Sequence, residues 1–178
     1  NLLGLQKLHD FGVKRSKLLL YPLSAIRMSK SLPMLCVGPR SEAELLNCKG
    51  MGYRNVRGLD LISYSPWVDL GDMHAMPYAD NSFMFLILGW VLLYSDSRKK
   101  AAMETVRVAR NGALIAVGVE YRPETPEEIS AKLGYEVSAD AQLASTDAIL
   151  ALYGDHVDRV FFRQDQPDGP HGKWDVLV

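Results

Sequence analysis

Short apolar runs separated by segments of helical spacing dominate the middle of the chain, and few folds accept that pattern. Met34–Gly38 and Val56–Leu61 read as strands, as do the apolar runs Met84–Trp90 and Ala113–Val119, and Met84–Trp90 carries no charge at all. Such runs suit strands covered on both faces. Between the first two, Ser41 and Glu44 have capping-box spacing and open a helix that carries Leu45, Leu46 and Cys48 and stops at Gly50 or Gly52. After Met84–Trp90, Ser95 or Asp96 caps a second helix that runs to about Arg110 and ends at Asn111-Gly112. Its Ala102, Val106 and Ala109 share one face. Val68–Gly71 reads as a very short third strand, and Ala79–Ser82 as a turn. Helices follow at Pro126–Leu133 and Ala141–Tyr153. Strands at Val157–Arg163 and Trp174–Val178, joined by a loop without a helix, close the chain.

Strands that alternate with helices build a parallel sheet covered on both faces. The expectation is an α/β, doubly wound, mostly parallel seven-stranded sheet with an antiparallel C-terminal strand pair. At 178 residues the chain makes one domain, residues 1–178, with residues 1–32 as a basic, helical N-terminal extension that holds Lys14, Arg15, Lys17, Arg27 and Lys30. Acids dominate between Arg122 and Arg159. Both charge runs read as solvated surface. The net charge is −1, which disfavours a nucleic-acid partner bound through a general phosphate-binding field. Cys36 and Cys48 are too few for a disulfide framework or a cysteine-only zinc site, so no metal is expected and the cytoplasm is the expected compartment. The longest apolar run, Phe83 to Tyr94, falls short of the roughly 20 residues of a spanning helix. The chain opens at Asn1, and a signal-peptide core is not visible there.

Ligands of such sheets sit at the carboxyl ends of the strands, where strand order reverses. The first strand-to-helix turn, Val37-Gly38-Pro39-Arg40-Ser41-Glu42, has a single glycine, which disfavours a pyrophosphate dinucleotide. Arg40 suits a carboxylate, and Glu42 or Glu44 an ammonium group. Asp60 ends the second strand, in the place of the acidic residue that takes ribose hydroxyls about 20 positions beyond a glycine turn. Asp72 follows the third strand and suits an exocyclic amine of adenine, with Met73 against the ring. His74 carries an imidazole, the side chain best suited to acid–base work near neutral pH, and is a candidate base. Trp90 and Tyr94 after the fourth strand are candidate pocket walls, though aromatics at such positions also serve as core. Glu120, at the end of the fifth strand, is a second candidate base.

Taken together, residues 34–119 resemble the core of class I S-adenosylmethionine-dependent methyltransferases. The resemblance is carried by Gly71-Asp72-Met73-His74-Ala75-Met76-Pro77 and by Arg107-Val108-Ala109-Arg110-Asn111-Gly112. The closing strand pair fits the same fold. The chain departs from the family in its glycine motif. Cys36 stands at the acidic position, Gly38 is the one glycine kept, and Arg40 and Glu42 replace the other two. The helix usual between the second and third strands is missing, and Met84 replaces an aspartate.

The resemblance implies S-adenosylmethionine as cofactor, held by Gly38, Arg40, Glu42, Asp60, Asp72 and Met73. His74 and Glu120 are then the catalytic candidates, and Trp90 and Tyr94 bind the substrate. The Val37–Glu42 opening is similar to methyltransferase-like proteins associated with sugar modification, which implies a small-molecule acceptor of that kind. The alternative is a non-catalytic domain that keeps the fold for binding or as a scaffold, which the altered glycine loop favours.

Overall fold

The computed structural model describes residues 13–39, 41–63, 65–134, 143–165 and 174–178. The chain starts with α1 (Val13–Ala25), β1 (Met34–Val37), α2 (Glu42–Gly50), β2 (Val56–Asp60) and β3 (Val68–Leu70). It continues through β4 (Phe83–Gly89), a 3₁₀ turn at Leu92–Tyr94, α3 (Arg98–Val108) and β5 (Ala109–Tyr121). It ends with α4 (Pro126–Leu133), α5 (Thr146–Tyr153), a second 3₁₀ turn at Gly154–His156 and β6 (Trp174–Leu177).

The sheet has the order β3-β2-β1-β4-β5-β6. The pairs from β3 to β5 are parallel, and β6 is antiparallel to β5. Alternation along the strands divides the core into two layers. Leu35, Val37, Leu86 and Leu88 face α3 and α5 with Ala101, Ala102, Ile149 and Tyr153. Met34, Cys36, Phe85 and Ile87 face α1 and α2 with Leu19, Leu20, Leu23, Leu45 and Cys48. The helical part of the N-terminal extension is therefore a core layer, anchored by three leucines. Each of these leucines stabilises the fold by about 1.5–3 kcal/mol through burial.

Four expectations need correction. The sheet has six described strands, not seven. Val157–Arg163 is not a strand, and the residue after it, Gln164, makes one bridge, to Leu177. Phe161 and Phe162 within Val157–Arg163 are exposed, so the segment's apolar residues gain nothing from a strand's alternation. The antiparallel pair is instead β5 with β6. The second helix is shorter than expected. Ser97 is its N-cap, and the chain is in β5 from Ala109, so Asn111-Gly112 lies inside a strand. Gly112 there adopts φ 75, and the β4–β5 register shifts between Phe83 and Phe85. Thr146 starts the fifth helix; residues 141–142 of its expected range lie outside the described residues.

Ser41 is the fourth. It caps α2 by position, but its side chain accepts no hydrogen bond. The capping box forms instead at Thr125 and Glu128 in α4. The missing helix between β2 and β3 is borne out, and it leaves Leu61, Ile62, Trp67 and Leu70 exposed. No described helix is long and apolar enough to cross a membrane.

Candidate functional site

Strand order reverses between β1 and β4, so the crevice lies beyond Val37 and Leu88, which pair in register. Gly38 leaves β1 with φ +66, and a Cβ there would stand 2.5 Å from Val91 Cγ2. The glycine therefore lets the loop after β4 close onto the loop after β1. Arg40 lies outside the described residues. Glu42 opens α2.

Asp60 ends β2, and its Oδ1 accepts from the Ile62 amide at 3.1 Å. A shallow groove lined by Pro39, Ser41, Glu42, Asp60, Ile62 and Ser63 opens beside it. Its enclosed part is about 10 Å³, the room of roughly one water.

Asp72, His74 and Ser95 form a continuous hydrogen-bonded chain. Asp72 Oδ1 accepts from the His74 amide at 2.8 Å and lies 2.7 Å from His74 Nδ1. His74 Nε2 lies 2.7 Å from the Ser95 hydroxyl, which also accepts from the Ser97 amide at 3.1 Å. The bond from the His74 amide, then that from its ring, holds the Asp72 carboxyl below its usual range. An ionised Asp72 only accepts, so Nδ1 carries the proton, and in the neutral tautomer Nε2 receives the Ser95 O–H. Ser95 is fully buried. The same chain thus orients the imidazole and ties the loop after β3 to the loop after β4. Met73 packs against the α3-side core.

Below His74 the loop is pinned by α3. Met76 donates its amide to Glu104 Oε1 at 2.7 Å, and Arg107 donates to the carbonyls of Met76 at 3.1 Å and Tyr78 at 2.8 Å. Arg107 pairs with Glu104 and Asp80 as well, and Glu104 is held below the usual carboxylate range, mainly by Arg107. The two sequence segments that carry the resemblance are therefore in direct contact.

Trp90 follows β4 with φ 59, a costly conformation for a bulky residue. Its amide donates to the Gly118 carbonyl at 2.7 Å, its indole donates to Asp175 Oδ1 at 2.7 Å, and its ring packs on the α1-side core. Tyr94 is exposed. Glu120 is buried at the end of β5 and pairs with Arg122 at 2.5 Å. The fold does not bring Glu120 into hydrogen bonding with His74. Among the described residues there is no cluster of acids, histidines and cysteines suited to a metal ion.

Two features escaped sequence reasoning. Ser95 was visible as a capping residue, but not as the partner of His74. Glu44 turns inward: Ser16 of α1 donates to its Oε2 at 3.4 Å, and its Oε1 is buried without a hydrogen-bond partner among the described residues.

Residues 35–117 match the family model described as a methyltransferase domain. The matched segment, just under half of the chain, is similar to methyltransferase domains. Solved structures extend the likeness beyond the matched segment. The MccD protein aligns with a TM-score of 0.58 at 13% identity, over 70% of this chain and 64% of that one. The [4+2]-cyclase SpnF aligns with a TM-score of 0.60 at 17% identity, over 79% and 56%. Geranyl diphosphate C-methyltransferase from Streptomyces coelicolor A3(2), solved with Mg2+, geranyl diphosphate and S-adenosyl-L-homocysteine, aligns with a TM-score of 0.62 at 12% identity, over 85% and 62%. This chain thus spans less than two thirds of the length of each of these proteins. No curated protein sequence matches it.

Proposed function

We propose that the chain binds S-adenosylmethionine and transfers its methyl group to a small polar acceptor, of which a sugar is the favoured class. The arrangement of Asp60 and Asp72 at the ends of neighbouring strands carries this reading. Each has one carboxyl oxygen free of the hydrogen bonds described above. Those oxygens suit ribose hydroxyls and an adenine amine respectively, with Met73 beside the ring. The donor and acceptor set therefore fits the cofactor.

The cofactor supplies a methyl group on a sulfonium, which needs no further activation. The protein's task is alignment of the acceptor, and positioning of this kind is worth up to about 7–11 kcal/mol. Gly38 sets the loop around the crevice, Glu42 at the start of α2 borders the amino-acid half, and Arg40 suits the cofactor carboxylate by its charge. Trp90 and Tyr94 border the acceptor side. His74, oriented by Asp72, takes the acceptor proton at Nε2 once the acceptor hydroxyl replaces that of Ser95. Glu120 serves as a second, more distant carboxylate, neutralised by Arg122.

A second reading, a non-catalytic binding or scaffold domain, is favoured by the Val91 side chain against Gly38 and by the small enclosed volume beside Asp60. Incubation with methyl-labelled S-adenosylmethionine and a panel of small sugars, sugar nucleotides and amines separates the two. Label transfer that falls at least tenfold in His74→Ala supports the enzyme. Cofactor binding without transfer to any member of the panel supports the scaffold.

A further inference from the structure

The imidazole of His74 meets the protein on one side and solvent on the other, and the two groups nearest Nε2 come from adjacent residues. Ser95 reaches it from the buried side, with its hydroxyl at 2.7 Å. Asp96 reaches it from the solvent side, with Oδ1 at 3.4 Å on a side chain that is 93% exposed. Both residues lie between the 3₁₀ turn at Leu92–Tyr94 and the start of α3 at Arg98. The other charged groups beside the ring are Asp72, on Nδ1, and Lys100 of α3, which acts on Asp72.

In the neutral tautomer Nε2 offers only a lone pair, because Nδ1 carries the ring proton toward Asp72, and a carboxylate likewise only accepts. At 3.4 Å the two stand outside hydrogen-bond range, with no proton between them. Ser95 donates one O–H, which satisfies Nε2 alone, and Asp96 accepts no hydrogen bond among the described residues. A ligand that takes the place of the Ser95 hydroxyl on Nε2 therefore satisfies both groups only if it brings two donors. The spacing discriminates between donors. A single ammonium group, with its N–H bonds at the tetrahedral angle and each bond at ~2.8 Å, holds two such partners roughly 4.6 Å apart. Two neighbouring hydroxyls need no such splay: the oxygens of a gauche vicinal diol lie close enough to donate side by side, one to each partner.

We infer that Asp96 reads the second hydroxyl of a vicinal diol, and that the methyl acceptor is a sugar or other polyol whose two adjacent hydroxyls face His74 and Asp96. The inference rests on the methyl-transfer reading above. The hydroxyl on Nε2 is the one that reacts: its oxygen bonds to the methyl carbon, its proton goes to Nε2, and the electron pair of the broken C–S bond stays on sulfur. The hydroxyl on Asp96 is unchanged, and its bond fixes which of the two oxygens stands on Nε2. Asp96 thus determines specificity by touching the methyl acceptor, and it moves no proton.

The test uses the full chain with methyl-labelled S-adenosylmethionine. The methyl α-glycosides of glucose, galactose and mannose present the diol, tetrahydropyran-4-ol a single hydroxyl, and cyclohexylamine an amine. Label is expected on at least one glycoside. For that glycoside Asp96→Ala is expected to raise KM at least tenfold with kcat within twofold of the parent, as loss of a binding contact does. Asp96→Asn keeps one carbonyl oxygen and is expected to recover part of the loss. Tetrahydropyran-4-ol is expected to be a poor methyl acceptor, used to the same extent by parent and Asp96→Ala. An unchanged KM for the glycoside in Asp96→Ala, equal losses for the glycoside and tetrahydropyran-4-ol, or label on the single alcohol or the amine and on no glycoside overturns the role of Asp96 while leaving methyl transfer intact. Titration calorimetry of the parent with S-adenosylhomocysteine separates the remaining outcomes. Binding without label on any of these compounds overturns the diol inference and leaves the cofactor reading intact, and an absence of binding overturns both.

Discussion

His74 Nε2 lies 2.7 Å from the hydroxyl of Ser95, a residue far along the chain on the other side of β4. This contact joins the loop after β3 to the start of α3. It also settles which ring nitrogen faces the protein's own hydroxyl. Ser95→Ala removes a buried partner, and we expect a loss of about 1–3 kcal/mol of stability, measured by urea unfolding. Ser95→Thr keeps the hydroxyl and should recover part of it. A fully stable Ser95→Ala variant would show that the contact does not hold the loops.

Gly38 is required by shape as well as by its φ. Gly38→Ala places a methyl 2.5 Å from Val91 Cγ2. The expected cost is about 1–3 kcal/mol from overpacking and the left-handed backbone. Val91→Ala combined with Gly38→Ala should recover part of that loss. Additive losses in the double variant would mean that Val91 is not the obstacle.

The acids pull pH dependence in opposite directions. Glu44 is raised from 4.5 to about 7 in the folded chain, so the native state binds more protons than the unfolded one between those values. Stability attributable to this group is greatest below about pH 4.5 and falls as pH rises toward 7, by roughly 2–4 kcal/mol. Asp69, Asp72 and Glu104 are lowered, so their contribution is present above the ordinary carboxylate range and is lost as pH falls through their folded values. Glu44→Gln should therefore flatten the decline between pH 5 and 7 and leave the acid limb in place. An unchanged slope in thermal unfolding across that window would contradict the assignment.

Arg107 joins the α3 end to the Met76–Tyr78 loop by hydrogen bonds to two carbonyls and two carboxylates. Arg107→Lys keeps the charge and loses the fork. We expect it to speed amide exchange at Met76, whose partner Glu104 is held by Arg107, with little effect on β1 and β4. Exchange at Met76 no faster than in the parent would show that Glu104 holds the loop unaided.

The parallel core was legible because β1 and β4 are apolar on both faces and each is followed by a helix with clear spacing. The β6 edge was half legible. Val157, Val160, Phe161 and Phe162 imitate a strand, but no described partner strand pairs with them and only Gln164 reaches Leu177. The capping signal at Ser41 misled for a physical reason. Glu44 shares its helix face with Cys48, four residues on, and that face is buried. Ser41 and Thr125 have the same spacing to a glutamate, and solvent exposure of Glu128 decides which pair closes. The candidate residues at strand ends were named from strand order and the resemblance. The bond from His74 to Ser95 was not, since it depends on how two loops fold over β4.

The most direct test of the account is titration of the full chain and of Asp60→Ala with S-adenosylhomocysteine by calorimetry. We expect the parent to bind at one site and Asp60→Ala to bind more weakly by about 1–3 kcal/mol, the cost of leaving ribose hydroxyls unpaired. An absence of binding heat for the parent at several temperatures, or identical affinities for the two proteins, would contradict the placement of the cofactor at the ends of β1, β2 and β3.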